Sequence, residues 1–182
     1  MNIKIHKILL GSRANGPGIR NTVWFQGCSL GCPGCFNPRT HDAEKGETMP
    51  VSRVCELLLS ASPCEGITIS GGEPFQQAEA LLELLTLLRE KNSPPILIFS
   101  GYTESYLRAD KVCSACLDKT DALICGPYRQ DLSPAYERFC ASENQKLLLF
   151  TRHMAYDDFS GLPLSEVIID PQGNTMITGI QF

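Results

Sequence analysis

Three cysteines fall within eight residues, at Cys28, Cys32 and Cys35, in the run Gly27-Cys28-Ser29-Leu30-Gly31-Cys32-Pro33-Gly34-Cys35-Phe36-Asn37. Four thiolates close a cubane iron–sulfur cluster or a structural zinc site, so three leave one metal corner open. An open corner is a place for a substrate. A second uncommon grouping lies downstream, where apolar Ile67-Thr68-Ile69-Ser70 runs into Gly71-Gly72-Glu73-Pro74. The glycines let bare backbone approach a ligand, Pro74 fixes the chain that follows, and exposed carbonyls with Glu73 can hold an ammonium group. Tight strand-to-helix turns are also glycine-rich for steric reasons alone. The cysteine run upstream is what argues for a ligand at this one.

The elements that position these residues are legible as alternating patterns. Ile3 to Leu10 and Asn21 to Gln26 carry the β-branched and aromatic residues of strands, and the second ends at Gly27, so the cysteines follow a strand. After a polar stretch from His41 to Thr48, Pro50 can occupy a first helical turn, and Val54, Leu57 and Leu58 recur at helical spacing. Ile67 to Ser70 reads as a short buried strand. From Gln76 to Lys91 the pattern is helical, with Leu81, Leu84, Leu85 and Leu88 on one face, and Pro94-Pro95 end it. Ile96 to Phe99, Ala122 to Cys125 and Leu147 to Phe150 are further strands. A short helix starts at Glu104 to Leu107, and Val167 to Asp170 with Thr175 to Ile180 form a hairpin around Gly173-Asn174.

Strand and helix alternation implies a parallel sheet covered by helices, an α/β fold. At roughly 30 residues per βα unit the chain holds about six units, fewer than an eight-fold barrel of about 250 residues requires. The expectation is one domain over residues 1–182: a partial (β/α)6-type barrel or open sheet with a C-terminal β-hairpin. In such sheets the ligand crevice lies at the carboxyl ends of the strands, where the cysteine loop, the Gly71-Gly72 turn and the Ser100-Gly101 turn all fall.

Composition narrows the partners. With 182 residues, 43% hydrophobic and 20% charged, the chain can bury a real core. A net charge of −4 and a pI near 5.4 give no footprint for nucleic acid or an anionic membrane. No apolar run is long enough to span a bilayer, and the first residues lack a secretory pattern. Nine cysteines, an odd number, cannot all pair as disulfides. That favours a reducing compartment with metal chemistry and a cytoplasmic location.

Cys113 and Cys116 form a Cys-x-x-Cys pair that, with Cys125 and Cys140, could complete a second four-sulfur site; the same residues also suit a buried core. Cys55 and Cys64 read as structural. His6, His41 and His153 are scattered and pair with no cysteine at ligand spacing. Phe36 and Tyr102 lie near the expected rim, where aromatics can pack on a nucleobase or on the core.

A cluster on Cys28, Cys32 and Cys35 leaves one iron able to chelate the amino and carboxylate groups of a methionyl moiety, setting its sulfonium beside an electron donor. Gly27, Gly31 and Gly34 give backbone N–H groups room to approach the sulfurs, whose hydrogen bonds tune the cluster. These two groupings resemble the radical S-adenosylmethionine (SAM) enzymes. The resemblance is closer still to the activating enzymes of glycyl-radical proteins, and most of all to the anaerobic ribonucleotide reductase type. It is carried by Asn15-Gly16-Pro17-Gly18-Ile19-Arg20, Trp24-Phe25-Gln26-Gly27-Cys28, Cys35-Phe36-Asn37-Pro38-Arg39-Thr40, Phe99-Ser100-Gly101-Tyr102-Thr103, Gly126-Pro127-Tyr128 and Ser142-Glu143-Asn144-Gln145.

The resemblance implies a [4Fe–4S] cluster on Cys28, Cys32 and Cys35 and SAM on the open iron. It also implies reductive cleavage to methionine and a 5′-deoxyadenosyl radical that abstracts hydrogen from a backbone glycine of a large partner. By the same resemblance Gly71, Gly72, Glu73 and Pro74 bind the SAM amino group, Ser100 is a further SAM contact, and a flavodoxin or ferredoxin supplies the electron. Arg20 matches an arginine of the family. The chain departs where activases carry Asp at Cys125 and Arg-Gly at Cys140-Ala141, which keeps a second reading open, a radical SAM enzyme acting on a metabolite or peptide. A third is a non-catalytic iron–sulfur or zinc protein.

Overall fold

The computed structural model describes all residues except 62, 134–138, 170–171 and 180–182. Its strands are β1 (Asn2–Ser12), β2 (Arg20–Phe25), β3 (Glu47–Pro50), β4 (Gly66–Gly71), β5 (Ile96–Ser100), β6 (Ala122–Cys125), β7 (Lys146–Leu149), β8 (Ser165–Ile169) and β9 (Thr175–Gly179). Its helices are α1 (Val51–Leu59), α2 (Ala78–Glu90), α3 (Glu104–Ala109) and α4 (Lys111–Leu117). The first seven strands form one open sheet in the order β3-β1-β2-β4-β5-β6-β7, and β8 pairs with β9 alone.

Strands β2, β4, β5 and β6 are parallel, while β1, β3 and β7 add antiparallel edges. The α/β class, the unclosed sheet of a partial barrel and the C-terminal hairpin stand as read from sequence, although Asp170 and Ile180 of that hairpin lie outside the described residues. The parallel part has four strands and three helical crossovers rather than six full units. The reason is connection length: the loop from Ser12 to Arg20 is too short for the crossover a parallel neighbour needs, so β1 returns antiparallel.

Side-chain alternation sorts the sheet into two faces. Ile67, Ile69, Ile96, Ile98 and Leu123 face the larger core, which takes the apolar stripes of α1, α2 and α4. Leu81, Leu84, Leu85 and Leu88 of α2 are fully buried there, each worth roughly 1.5–3 kcal/mol. Leu97, Ala122, Ile124 and Leu147 point the other way into a smaller core with Phe139, Cys140, Met154 and Phe159. All four helices thus cover one face, and the other is left for a cleft.

Two elements escape the sequence reading. β3 is a short edge strand at the end of the polar stretch, with Glu47 and Thr48 exposed. α4 contains the Cys-x-x-Cys pair; its signal is Asp110, whose Oδ1 accepts the N–H groups of Val112 and Cys113, both at 2.9 Å.

Arg20 opens β2 at the end opposite the cysteine loop and is 1% exposed. Its Nε donates to Thr68 Oγ1 at 2.6 Å, Nη2 to the carbonyls of Ile67 at 2.6 Å and Pro95 at 3.0 Å, and Nη1 to that of Pro17 at 3.0 Å. Burial pulls its pKa down to about 10. It ties the starts of three parallel strands together.

Candidate functional site

β2 delivers the chain to the cysteine loop through Gln26, which is buried. Its Nε2 donates to the carbonyls of Arg39 at 3.1 Å and Asp42 at 2.8 Å, closing the loop's far end onto its beginning. The N–H of Gly27 donates to Thr40 at 2.7 Å and that of Cys28 to His41 at 3.1 Å. The cysteines therefore sit on a loop with a fixed base. Within it the Cys35 N–H donates to the Cys32 carbonyl at 3.2 Å, and the Asn37 N–H reaches Cys35 Sγ at 3.4 Å. That is the backbone-to-sulfur contact the glycine-rich sequence leads one to expect.

The Gly71-Gly72 turn is locked against this base. The Gly72 N–H donates to Phe25 and the Glu73 N–H to Gly27, both at 2.9 Å. A Cβ on Gly72 would lie 2.2 Å from the Gly27 carbonyl oxygen, so only glycine lets the two loops touch. Gln76 reaches back in the same direction: its Oε1 accepts the Ser29 N–H at 3.1 Å and its Nε2 donates to Ser29 Oγ at 2.7 Å.

Glu73 is 1% exposed and lies between two strand ends. Its Oε1 accepts the Ser100 hydroxyl at 3.0 Å and the Phe75 N–H at 3.1 Å; its Oε2 accepts the Gly101 N–H at 2.7 Å. Desolvation pushes its pKa up to about 7, against the pull of those bonds. Cys28 and Cys35 thiols are also raised, chiefly by burial.

These residues share one cleft of about 970 Å³, counting its open mouth. Cys28, Cys32, Cys35, Gly71, Gly72, Glu73 and Ser100 all line it, whereas Pro74 is buried behind the turn and does not. Trp24, Phe99, Phe139 and Tyr128 supply aromatic wall, with Phe36 packed on Tyr128 at 4.8 Å. His41, Asn15 and Gln145 also line the cleft; Asn15 and Gln145 fall in segments that carry the resemblance, whereas nothing in the spacing of His41 marks it in the sequence. Tyr102 lies elsewhere, stacked on Tyr106 at 4.5 Å. Arg20 is outside the cleft lining.

The donor set fits an open-cornered cubane: three half-buried thiols on one loop, beside a Gly71-Gly72 turn that packs on the base of that loop and lines the same cleft. Among the described residues no three His, Cys, Asp or Glu side chains converge on a single ion. A cubane does not ask for that, since each thiolate takes a different iron. Cys113, Cys116 and Cys125 belong to the helix-side core and Cys140 to the core on the opposite face. The sheet therefore separates the four cysteines of the second-site reading.

The 4Fe-4S single cluster domain family matches residues 14–148. The pyruvate formate-lyase-activating enzyme of Clostridium pasteurianum is 36% identical over 104 residues, 54% of this chain and 44% of that protein. Two anaerobic ribonucleoside-triphosphate reductase-activating proteins align along more of their length. That of Enterobacteria phage T4 is 30% identical over 73% of this chain and 85% of its own. That of Pasteurella multocida is 29% identical over 76% and 92%. The chain spans about half the length of the first relatives it matches, 44% and 46%.

Fold and site together define the class of single-cluster 4Fe-4S domain proteins built on an open α/β sheet, with that domain occupying most of the chain. Within that class, the chain belongs to the family of radical SAM activating enzymes.

Proposed function

We propose that this chain is a glycyl-radical activating enzyme, with its [4Fe–4S] cluster on Cys28, Cys32 and Cys35 and SAM bound between that cluster and the Gly71-Gly72-Glu73 turn. When bound, the cluster supplies one electron that splits SAM into methionine and the 5′-deoxyadenosyl radical. The chain's own residues prepare that event. The Gly71 and Gly72 backbone admits the methionyl end, and Glu73 Oε2, which among the described residues accepts only the Gly101 N–H, keeps a lone pair for the ammonium. Ser100 acts on SAM through Glu73, whose carboxylate it steadies. Trp24, Phe99 and Phe139 keep water from the radical.

The observation that carries the reading is the meeting of three thiols, the double-glycine turn and Glu73 in one cleft. No Lys or Arg lines that cleft among the described residues. An anionic metabolite would meet no counter-charge on the wall, whereas an uncharged backbone glycine needs none. This favours a protein glycine, in a partner of the anaerobic ribonucleotide reductase type, as the hydrogen donor. The departure at Ala141, which lines the cleft, is the feature that favours a metabolite or peptide instead. A reducing cytoplasm and a flavodoxin or ferredoxin donor complete the proposal, with no role for nucleic acid. No helix among the described residues is long and apolar enough to cross a membrane.

The test is anaerobic reconstitution with iron and sulfide, reduction with SAM present, and chromatography for 5′-deoxyadenosine. The native chain should form it and Cys32→Ala should not. Addition of the glycyl-radical protein should yield a glycine-centred signal in electron paramagnetic resonance. Undiminished product from Cys32→Ala would overturn the assignment.

A further inference from the structure

Beside the cysteine cleft lies a second cleft of about 1240 Å³, again counting its open mouth, bounded by β1, the segment from Phe36 to Thr40, and β9 of the C-terminal hairpin. The two adjoin, sharing Trp24, Phe36, Asn37 and Gly179 as walls. Their chemistry differs. Among the described residues, the cysteine cleft has Glu73 and no Lys or Arg in its lining; the second has Lys7, Arg39 and His6 and no Asp or Glu.

A backbone irregularity builds this cluster. β1 carries an extra residue against β2, so that Ile5 faces Phe25 while Lys7 faces Trp24. An inserted residue re-aims the side chains around it, and bulges of this kind gather at the rims of sites. Here the consecutive residues His6 and Lys7 line the same cleft, which a regular strand would deny them. His6 Nδ1 lies 3.0 Å from Gln26 Oε1, so the glutamine that closes the cysteine loop also holds this imidazole. From the other wall comes Arg39, whose carbonyl is held by the same glutamine and whose guanidinium joins no ion pair among the described residues. Lys7 joins none either among those residues; its Nζ contacts Met176 Sδ.

Two cations without counter-charges among the described residues, set in a concave pocket of a chain with net charge −4, form an acceptor for an anion. We propose that this pocket is an anion-binding subsite, in which Lys7 and Arg39 hold the carboxylates of an acidic segment of the protein partner while a neighbouring segment enters the cysteine cleft. The proposal rests on the activating-enzyme reading for the identity of the partner. The shared wall supplies the geometry, because a chain crossing Trp24 and Phe36 passes from one cleft into the other. An arginine fork and a flexible ammonium suit carboxylates presented on a mobile loop.

Trp24 is the only tryptophan of the chain and lies in the wall of both clefts, so its fluorescence reports on either. The reconstituted chain is titrated with a capped triglutamate peptide, a capped triglutamine peptide and inorganic phosphate, with calorimetry alongside. Saturable binding of triglutamate, weakened about tenfold or more in Lys7→Gln/Arg39→Gln as loss of charge-assisted bonds predicts, is the expected result. Lys111→Gln should bind as the native chain does. Triglutamine binding as tightly as triglutamate, a response to phosphate alone, no saturable response, or affinity that survives the double substitution would overturn the subsite. Thermal unfolding and cluster absorbance of each variant guard against a folding defect. 5′-Deoxyadenosine formation in the same samples keeps the two readings apart. Turnover without triglutamate binding refutes the subsite alone, and binding without turnover refutes the activating-enzyme reading.

Discussion

The carboxylate of Glu73 accepts the Gly101 N–H at 2.7 Å, joining the turn after β4 to the turn after β5 across the floor of the cysteine cleft. A buried carboxylate held by neutral donors alone is short of counter-charge, which is why its pKa rises to about 7. An arriving ammonium would supply that charge.

Affinity for SAM should therefore rise with pH through about 7, as Glu73 loses its proton. The stability of the iron-free protein should move the other way. The folded pKa lies above the ordinary 4.5, so the folded state holds this proton more tightly than the unfolded chain. Its contribution favours folding most below 4.5 and is lost as pH rises to about 7. Glu73→Gln should flatten both profiles. Calorimetric titration with SAM and urea unfolding across this range check the pair of slopes, and a pH-independent affinity in the native protein would contradict the ammonium role.

Gly72→Ala and Gly31→Ala separate crowding from backbone conformation. Gly31 has φ +61° but open space where a Cβ would sit, so alanine there should cost only the left-handed conformation, about 1–2 kcal/mol. Gly72 has no such φ, yet its Cβ would meet the Gly27 carbonyl oxygen at 2.2 Å and the Thr40 carbonyl oxygen at 3.0 Å. The turn and the cysteine loop must then part. Gly72→Ala should lower cluster content after reconstitution, read as iron per chain, well below that of Gly31→Ala.

What the sequence made legible, and what it hid, follows from how far apart the interacting residues lie. The cysteine loop, the double-glycine turn and the α2 stripe are local patterns, each decided within a few residues, and the structure holds them where spacing puts them. The Glu73–Ser100 bond joins positions 27 residues apart and has no local signature, so Glu73 reads as a ligand group and not also as a strut. β3 was hidden because an edge strand of four residues with exposed Glu47 and Thr48 lacks the apolar alternation that marks a strand. The number of parallel strands was overstated because periodicity finds strands without giving their direction.

Arg20 illustrates the same point, since its role depends on four partners drawn from three segments. Arg20→Met would leave the Ile67, Pro95 and Pro17 carbonyls without this donor. The expected loss is about 3 kcal/mol or more in denaturant unfolding, because stranded buried acceptors keep their desolvation cost. Arg20→Lys keeps the charge but not the fork and should fall between. Once folded, either variant should form 5′-deoxyadenosine at the native rate per cluster, since Arg20 sits at the far end of β2 from the cysteine loop. A rate defect with unaltered stability would place Arg20 in the machinery instead.

Iron content distinguishes a single cluster from two. Cys116 is fully buried and Cys113 nearly so in the helix-side core, and burial first, with Asp110 adding to it at Cys113, pushes both thiols up to about 12. They are protonated at neutral pH, and Cys140 lies across the sheet from them. Cys113→Ala and Cys116→Ala should therefore bind as much iron as the native chain, about four per chain as one cubane requires. Their cost should appear in stability, about 1 kcal/mol for the smaller side chain left in a packed core. Cys32→Ala should show the converse, iron lost with unfolding of the iron-free protein little changed, because the half-exposed loop thiol fills no core. Loss of iron from the α4 variants at unchanged stability would revive a second site.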